Sequence, residues 1–218
     1  MEKKECPHCG GTGFVDKGKT VVICSCRFDE KDMSKYLRIP PRFYDATFEN
    51  YIPVSQAQRS ALKVCLSYSM AFDLKDGRGL TLLGPPHMGK THLAVAALKT
   101  VYKTKMVKGI FFDTKDMFFK LRSVMENGER YTRMMKVLLW APLLVLDDLG
   151  SERLSDWQRE IITHLISHRY NSMKSTIITT NYALRRMNEK EIAKTLEERL
   201  SEAVVSKISQ MNTSVYLI

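Results

Sequence analysis

Residues 84–91 read Gly84-Pro85-Pro86-His87-Met88-Gly89-Lys90-Thr91 and satisfy G-x-x-x-x-G-K-[ST] at each fixed position. This octapeptide constrains the fold more than any other stretch, because its chemistry demands a strand before it and a helix after it. Backbone N–H groups must wrap a phosphate, and a Cβ at Gly84 or Gly89 would obstruct the turn. Lys90 then sets a cation against the β- and γ-phosphates, and the Thr91 hydroxyl ligates Mg²⁺. A helix starting here aims its positive end at the anion. The flanks comply: residues 80–83 are a short apolar strand and residues 91–103 read as a helix. A chance match would lack that context, so the loop is expected to hold ATP or ADP with Mg²⁺ through all eight of its residues.

The remaining elements alternate. Residues 55–74 read as a helix with Ser55 as a candidate N-cap, and residues 107–113 as a strand followed by helical stretches to residue 140. Strands follow at 143–146, 175–179 and 214–218, with helices at 156–173 and, largely, 189–208. Apolar strands without alternation, separated by helices, predict an α/β fold with a parallel sheet covered on both faces. Ligands of such sheets sit beyond the carboxyl ends of the strands.

Two of those ends carry chemistry. Leu143-Leu144-Val145-Leu146-Asp147-Asp148 is an apolar strand closing on two carboxylates, the Walker B pattern. Asp147 would hold Mg²⁺ through water, and Asp148 would orient and polarise the attacking water. The competing reading makes Asp148 a structural turn or cap residue. Asn181, after Ile177-Ile178-Thr179-Thr180, could present an amide to the γ-phosphate or the lytic water, or serve only as a turn residue.

Residues 1–27 are too short and too rich in Cys and Gly to form an apolar core of their own. Cys6-Pro7-His8-Cys9 and Cys24-Ser25-Cys26 supply four thiols from two tight knuckles, the donor set of a tetrahedral Zn²⁺ site. A redox pair or free thiols are the rival readings; His8 reads as an exposed loop residue, and Cys65 as a small core residue of a helix. Residues 28–50 read as a linker broken by Ile39-Pro40-Pro41, and residues 51–218 as the nucleotide-binding domain.

Lys and Arg total 34 against 24 Asp and Glu, a net +10, which favours a polyanionic partner over the alternative of mere solubility. No run of about 18 apolar residues exists, and the first nine residues lack a signal-peptide core, so no membrane partner and a cytoplasmic location are expected.

With these residues assembled, the chain resembles the bacterial replicative-helicase loaders, the DnaC/DnaI group of AAA+ ATPases, and is similar in its ATPase part to the IstB-type transposition ATPases. "CPHCGGTGFV" followed by "CSC" resembles the loaders' zinc module, and "IPPRFYDATFENY" their linker. "GPPHMGKTHLA", "LLVLDDLGSE" and "STIITTN" resemble Walker A, Walker B and sensor I. The resemblance spans nearly the whole chain. It implies an AAA+ domain without a separate helical lid, and an ATP-dependent loader that places a DnaB-type replicative helicase hexamer on single-stranded DNA. The ATP form would be a homo-oligomer, released by hydrolysis, with the zinc module docking on the helicase.

The resemblance also implies roles for particular residues. "LEERLSEAVV" matches the family's arginine-finger segment, so Arg199 would neutralise transition-state charge in a neighbouring site. The family usually carries Ser where Glu198 stands, and an alternative pairs Arg199 with Glu197 or Glu202 on the helix surface. The sequence ends at Ile218, before the position of the family's sensor II arginine. Residues 116–140 lie where relatives carry a DNA-facing insert. There Lys120, Arg122, Arg130, Arg133 and Lys136 stand near Phe118, Phe119 and Tyr131, a composition suited to a single strand. Asp116, Glu126 and Glu129 dilute that charge, and Phe118, Phe119 and Leu121 are alternatively core. Two other functions compete: an IstB-type ATPase assisting transposition, and a zinc-dependent adaptor with a purely structural nucleotide.

Overall fold

The computed structural model describes residues 6–18, 20–27, 30–186 and 195–218. The chain opens with an antiparallel hairpin, β1 (Phe14–Asp16) and β2 (Val21–Ile23), then a 3-10 turn at Ser25–Arg27 and helix α1 (Glu30–Tyr36). Next come α2 (Gln56–Ala71), β3 (Gly79–Leu83), α3 (Lys90–Lys105), β4 (Gly109–Asp113), α4 (Thr114–Ser123) and α5 (Gly128–Trp140). The chain finishes with β5 (Leu143–Asp147), α6 (Asp156–Asn171), β6 (Ser175–Thr180), α7 (Leu196–Arg199), α8 (Glu202–Met211) and β7 (Asn212–Tyr216).

Strands β3 to β7 form one five-stranded sheet in the order β4-β5-β6-β3-β7, every neighbouring pair parallel. Successive strand residues point to opposite faces, and both faces are apolar. Phe111, Leu143, Val145 and Ile177 pack with α2 and α3 into one core, whereas Phe112, Leu144, Leu146 and Ile178 pack with α4, α5, α6 and α8 into the other. This double burial explains why β4 and β5 read as apolar runs without alternation. No helix among the described residues is long and apolar enough to cross a membrane.

Local chemistry sets the helix starts. Ser55 caps α2 and Ser155 caps α6, each in a reciprocal capping box with the Gln three residues on. The closing strand differs from expectation: it occupies Asn212–Tyr216, two residues earlier than 214–218. Met211 ends α8 and the chain turns directly into the sheet, because Asn212 donates its side-chain amide to the Leu80 carbonyl and the Thr81 hydroxyl, both at 3.0 Å. Those bonds hold the register Gly79 to Asn212 and Leu83 to Tyr216. Likewise α2 stops at Ala71 rather than 74, and β4 starts at Gly109 rather than 107. Residues 189–194, the first part of the helix expected over 189–208, lie outside the described residues.

The stretch expected as a linker is tightly packed. Met33, Leu37, Ile39, Ala46 and Phe48 are buried in the core shared with α2 and α3. The Leu37 carbonyl accepts from the Phe111 N–H at 2.9 Å, and the buried Lys99 ammonium donates to the Tyr44 carbonyl. The hairpin also docks: Cys24 is fully buried in the same core, the Tyr102 hydroxyl donates to the Ile23 carbonyl at 3.3 Å, and Lys17 to the Lys105 carbonyl at 3.1 Å.

Candidate nucleotide site and cysteine cluster

Beyond the carboxyl ends of β3, β5 and β6 lies a cleft of about 500 Å³, where ligands of such sheets sit. Residues 84–89 link β3 to α3 and cover one side of it. Gly84 and Gly89 take φ of 151° and 83°, in the region that favours glycine. Close approach restricts them further. A Cβ on Gly84 would sit 2.1 Å from the Leu217 carbonyl oxygen, and one on Gly89 2.5 Å from the Tyr51 ring. His87 also adopts a left-handed φ of 65°, and Pro85, Pro86 and His87 are exposed at the mouth. The loop is braced from behind. The Met88 carbonyl accepts from the Tyr51 hydroxyl at 3.0 Å and the Gln58 amide at 3.3 Å.

Lys90, 7% exposed, donates to the carbonyls of Gly84 at 2.7 Å and Pro85 at 2.6 Å, folding back over the loop. Burial lowers its pKa, and the charges of Asp148 and Asp147 oppose that shift. The next residue reaches the strand opposite: the Thr91 hydroxyl donates to the Asp147 carboxylate, 2.9 and 3.2 Å from its two oxygens. Thr179 completes the arrangement. Its hydroxyl donates to Asp147 at 2.6 Å and accepts the Asp148 N–H at 2.8 Å, so one side chain orients both acidic residues. The Thr114 hydroxyl holds the Asp147 carbonyl at 2.7 Å. Burial pushes the Asp147 carboxyl up to about 6, against the two threonine bonds that favour its anion.

Asp148 has φ 56° and turns its carboxylate into the cleft, where the Asn181 amide donates to it at 3.0 Å. Lys90, Thr91, Asp147, Asp148 and Asn181, drawn from three separate segments, thus line one cleft. A neutral hydroxyl and a carboxylate oxygen converging from opposite walls are hard donors suited to Mg²⁺, which keeps its other positions for water and phosphate. Arg42, Phe43, His92, Asp113 and Thr179 line the cleft as well, and sequence reading had passed over all five. Thr179 carried no distinguishing signal, because four of the six residues of β6 bear hydroxyls, Ser175, Thr176, Thr179 and Thr180. Arg42 and Phe43 had none either, since the packing of the preceding segment brings them there.

Arg199 stands elsewhere and lines none of that cleft. Its guanidinium lies 3.9 Å from the Tyr182 ring centroid and donates to the Glu152 carbonyl at 3.2 Å. Glu197 is bound to Arg185 at 2.9 Å and Glu198 to Arg186 at 2.5 Å, so helix-surface pairing with Glu197 is not what holds Arg199.

The basic residues of α4 and α5 divide. Lys120 is tied to Asp116 at 2.6 Å and Arg133 to Glu129 at 2.5 Å, whereas Arg122 lies over the Trp157 ring at 5.9 Å. Arg130 and Lys136 are exposed, with no side-chain bond to a described residue. Phe118 and Leu121 are core, Tyr131 is half-buried, and Phe119 is 74% exposed.

At the other end of the molecule, the sulfurs of Cys6, Cys9, Cys24 and Cys26 all lie within 4.8 Å of one another. Cys6 and Cys24 are 3.6 Å apart, and Cys9 and Cys26 3.5 Å. Four thiolates at about 2.3 Å from one ion span such distances, so the cluster could hold Zn²⁺. The Gly13 N–H donates to the Cys9 sulfur at 3.2 Å, an amide–thiolate bond of the kind that orients a metal ligand. His8 is exposed and outside the set.

The family described as IstB-like ATP binding protein matches residues 26–213. The crystal structure of the DnaC helicase loader is similar at 48% identity with a TM-score of 0.74, over 81% of this chain and 99% of that one. Among curated proteins, XkdC of the phage-like element PBSX of Bacillus subtilis is 29% identical over 98% of this chain and 80% of its own length. The replicative helicase loader DnaC of Escherichia coli is 27% identical over 75% of this chain, and only 64% of its length is spanned.

Proposed function

Because this chain belongs to the IstB-like ATP-binding proteins and to the DnaC/DnaI-type helicase loaders among them, we propose that it loads a replicative helicase onto single-stranded DNA under the control of bound ATP. One observation carries the nucleotide half of this reading. The Thr91 hydroxyl and the Asp147 carboxylate, 56 positions apart in sequence, meet at 2.9 Å beneath a P-loop lysine in an open cleft. Residues 84–91 would wrap the phosphates, Thr91 and Asp147 would hold Mg²⁺, and the ion would draw charge off the phosphates. Asp148 would polarise the lytic water, with Asn181 fixing the carboxylate in place and facing the γ-phosphate. Arg199, which lines no part of its own cleft, would act on the nucleotide of a neighbouring copy, which makes the ATP form an oligomer.

Residues 1–27 form the zinc module, Cys6, Cys9, Cys24 and Cys26 binding Zn²⁺; residues 28–50 join it to the ATPase domain at 51–218. The module presents the half-exposed Phe14, Val21 and Ile23 for docking on the helicase. Residues Lys120, Arg122, Arg130, Arg133 and Lys136 with exposed Phe119 face the single strand. Three of the four cysteines precede the matched stretch, which favours a loader over a transposition ATPase. The test is capture of a replicative helicase hexamer by the wild-type chain and by Lys90→Ala, with and without ATP. ATP-sensitive capture by wild type, lost or rendered ATP-blind in Lys90→Ala, is expected. Absence of capture under every condition would remove the loader assignment.

A further inference from the structure

At the amino ends of the parallel strands, the end of the sheet away from the nucleotide cleft, an open tryptophan ring stands among cations. Trp140 closes α5 three residues before β5, and Lys174 immediately precedes β6, whose first residue pairs with Leu143. The indole residue is 55% exposed. The His168 ring meets it nearly edge-on, at 4.7 Å and 79°, which covers at most one of its faces. The Lys174 ammonium lies 5.9 Å from its centroid, at the outer limit of cation–π contact. The surroundings are electropositive. Residues 130–146 and 161–188 contain no Asp or Glu. Arg169 is fully buried, without a carboxylate partner among the described residues, and its guanidinium donates to the Leu138, Leu139 and Ala141 carbonyls on either side of Trp140. Those bonds also cover the carboxyl end of α5, whose bare carbonyls would repel an anion. His168 registers the field: its pKa is lowered by burial first, then by the charges of His164, Arg169 and Lys174. Exposed Lys136 lies one turn before Trp140 on the same side of α5. The cations call for an anion from outside, and the open indole face calls for a flat apolar partner.

We propose that Trp140 stacks on an unpaired base of a single-stranded nucleic acid, with Lys174 and Lys136 on the flanking phosphates. This rests on the single-strand reading above and adds a base contact at a place that reading leaves empty. Arg122 lies over Trp157 at the start of α6, whereas Trp140 meets His168 near the end of the same helix. Eleven residues separate Trp157 from His168, so the two ends are about 16 Å apart at 1.5 Å per residue. A strand held both at Phe119 and Arg122 and at Trp140 therefore runs along the α5–α6 side of the molecule over several nucleotides. Stacking on an indole is tolerant of sequence, because every base has a flat face, and phosphate contacts by lysine add no base preference. A duplex keeps its bases stacked on one another and offers the ring no partner. An acidic protein segment satisfies the lysines and leaves the open indole face in water.

The ring is its own reporter, since the chain has two tryptophans and Trp157→Phe leaves Trp140 alone. In that full-length variant an oligothymidylate of about 16 nucleotides should quench the indole emission, whereas a blunt duplex of the same length and polyglutamate should not. In the wild-type background, Trp140→Ala should bind the labelled strand about tenfold more weakly by fluorescence anisotropy, the loss of one stacked base. Trp140→Phe keeps a ring and should recover most of that loss. Lys174→Gln should flatten the plot of log affinity against log salt by about 0.7, the share of one phosphate on a single strand. The quenching measurement does not depend on how well the Ala variant folds. Oligothymidylate bound by the reporter variant with no change in emission, or held by Trp140→Ala as tightly as by wild type, would overturn the proposal. So would quenching by polyglutamate instead, which gives this face to an acidic protein, or equal quenching by the duplex, which reduces the contact to backbone charge. Should the wild-type chain bind no single strand at all, the reading beneath the proposal falls, and that is seen before any variant is made.

Discussion

At the scale of single residues, the site sets binding against stability. Asp147 is 8% exposed and its carboxyl titrates near 6, above the ordinary 3.8. The metal-free folded state therefore binds more protons than the unfolded chain between those values, so its stability falls as pH rises from about 4 through 6. Above that window the penalty of a buried anion, offset only in part by the two threonine hydroxyls, is fully present. Asp147→Asn should raise the stability of the metal-free protein at pH 7 by on the order of 2 kcal/mol and lose the advantage below pH 4, as thermal melts across pH will show. The same variant should lose the stabilisation that Mg²⁺ and ATP confer on wild type. Lys90→Ala should weaken nucleotide binding by about 30-fold or more, since it removes the cation folded over the loop, and calorimetric titration reads this directly.

Between elements, one buried arginine does the joining. Arg169 in α6 is fully buried and has no carboxylate partner among the described residues. Its guanidinium donates to the carbonyls of Leu138 at 2.9 Å, Ala141 at 2.9 Å and Ser175 at 2.5 Å, and its Nε to the Thr176 hydroxyl at 2.8 Å. It thus caps the carboxyl end of α5 and secures the start of β6 at once. Arg169→Leu fills the volume but strands those carbonyls, so unfolding by denaturant should show a loss of about 3–5 kcal/mol. On the neighbouring insert, the paired and unpaired cations should separate. Arg130 is exposed with no partner among the described residues, whereas Arg133 is held by Glu129. Arg130→Glu should therefore lower single-strand affinity more than Arg133→Glu, by roughly fivefold at low salt, with a shallower salt dependence.

For the molecule as a whole, the cysteine cluster and the P-loop are held by different contacts. The hairpin rests on the carboxyl end of α3 through Tyr102 and Lys105, while the loop is braced at the other end of that helix by Tyr51 and Gln58. Cys6→Ser, or removal of zinc by a chelator, should speed proteolysis within residues 6–27 by about tenfold while leaving nucleotide affinity unchanged. Faster proteolysis together with weaker nucleotide binding would mean that the module transmits its state through α3.

What the sequence determined by itself follows from local chemistry. The P-loop, the two aspartates after an apolar strand, the cysteine knuckles and the Ser55 cap need only neighbours within a few positions, so spacing and side-chain type suffice to read them. The parallel, doubly covered sheet was legible because burial on both faces leaves no polar alternation in Leu143–Asp147 or Gly79–Leu83. Tertiary structure decided the rest. Thr179 bridging both aspartates, Tyr51 and Gln58 gripping the Met88 carbonyl, residues 33–48 folding into the main core, and Arg42 and Phe43 lining the cleft all join positions far apart in the chain. The strand beginning at Asn212 rather than 214 has the same origin, in bonds to Leu80 and Thr81 more than a hundred residues away. Such contacts depend on which surfaces meet once the helices pack, and no periodicity or motif encodes that distance.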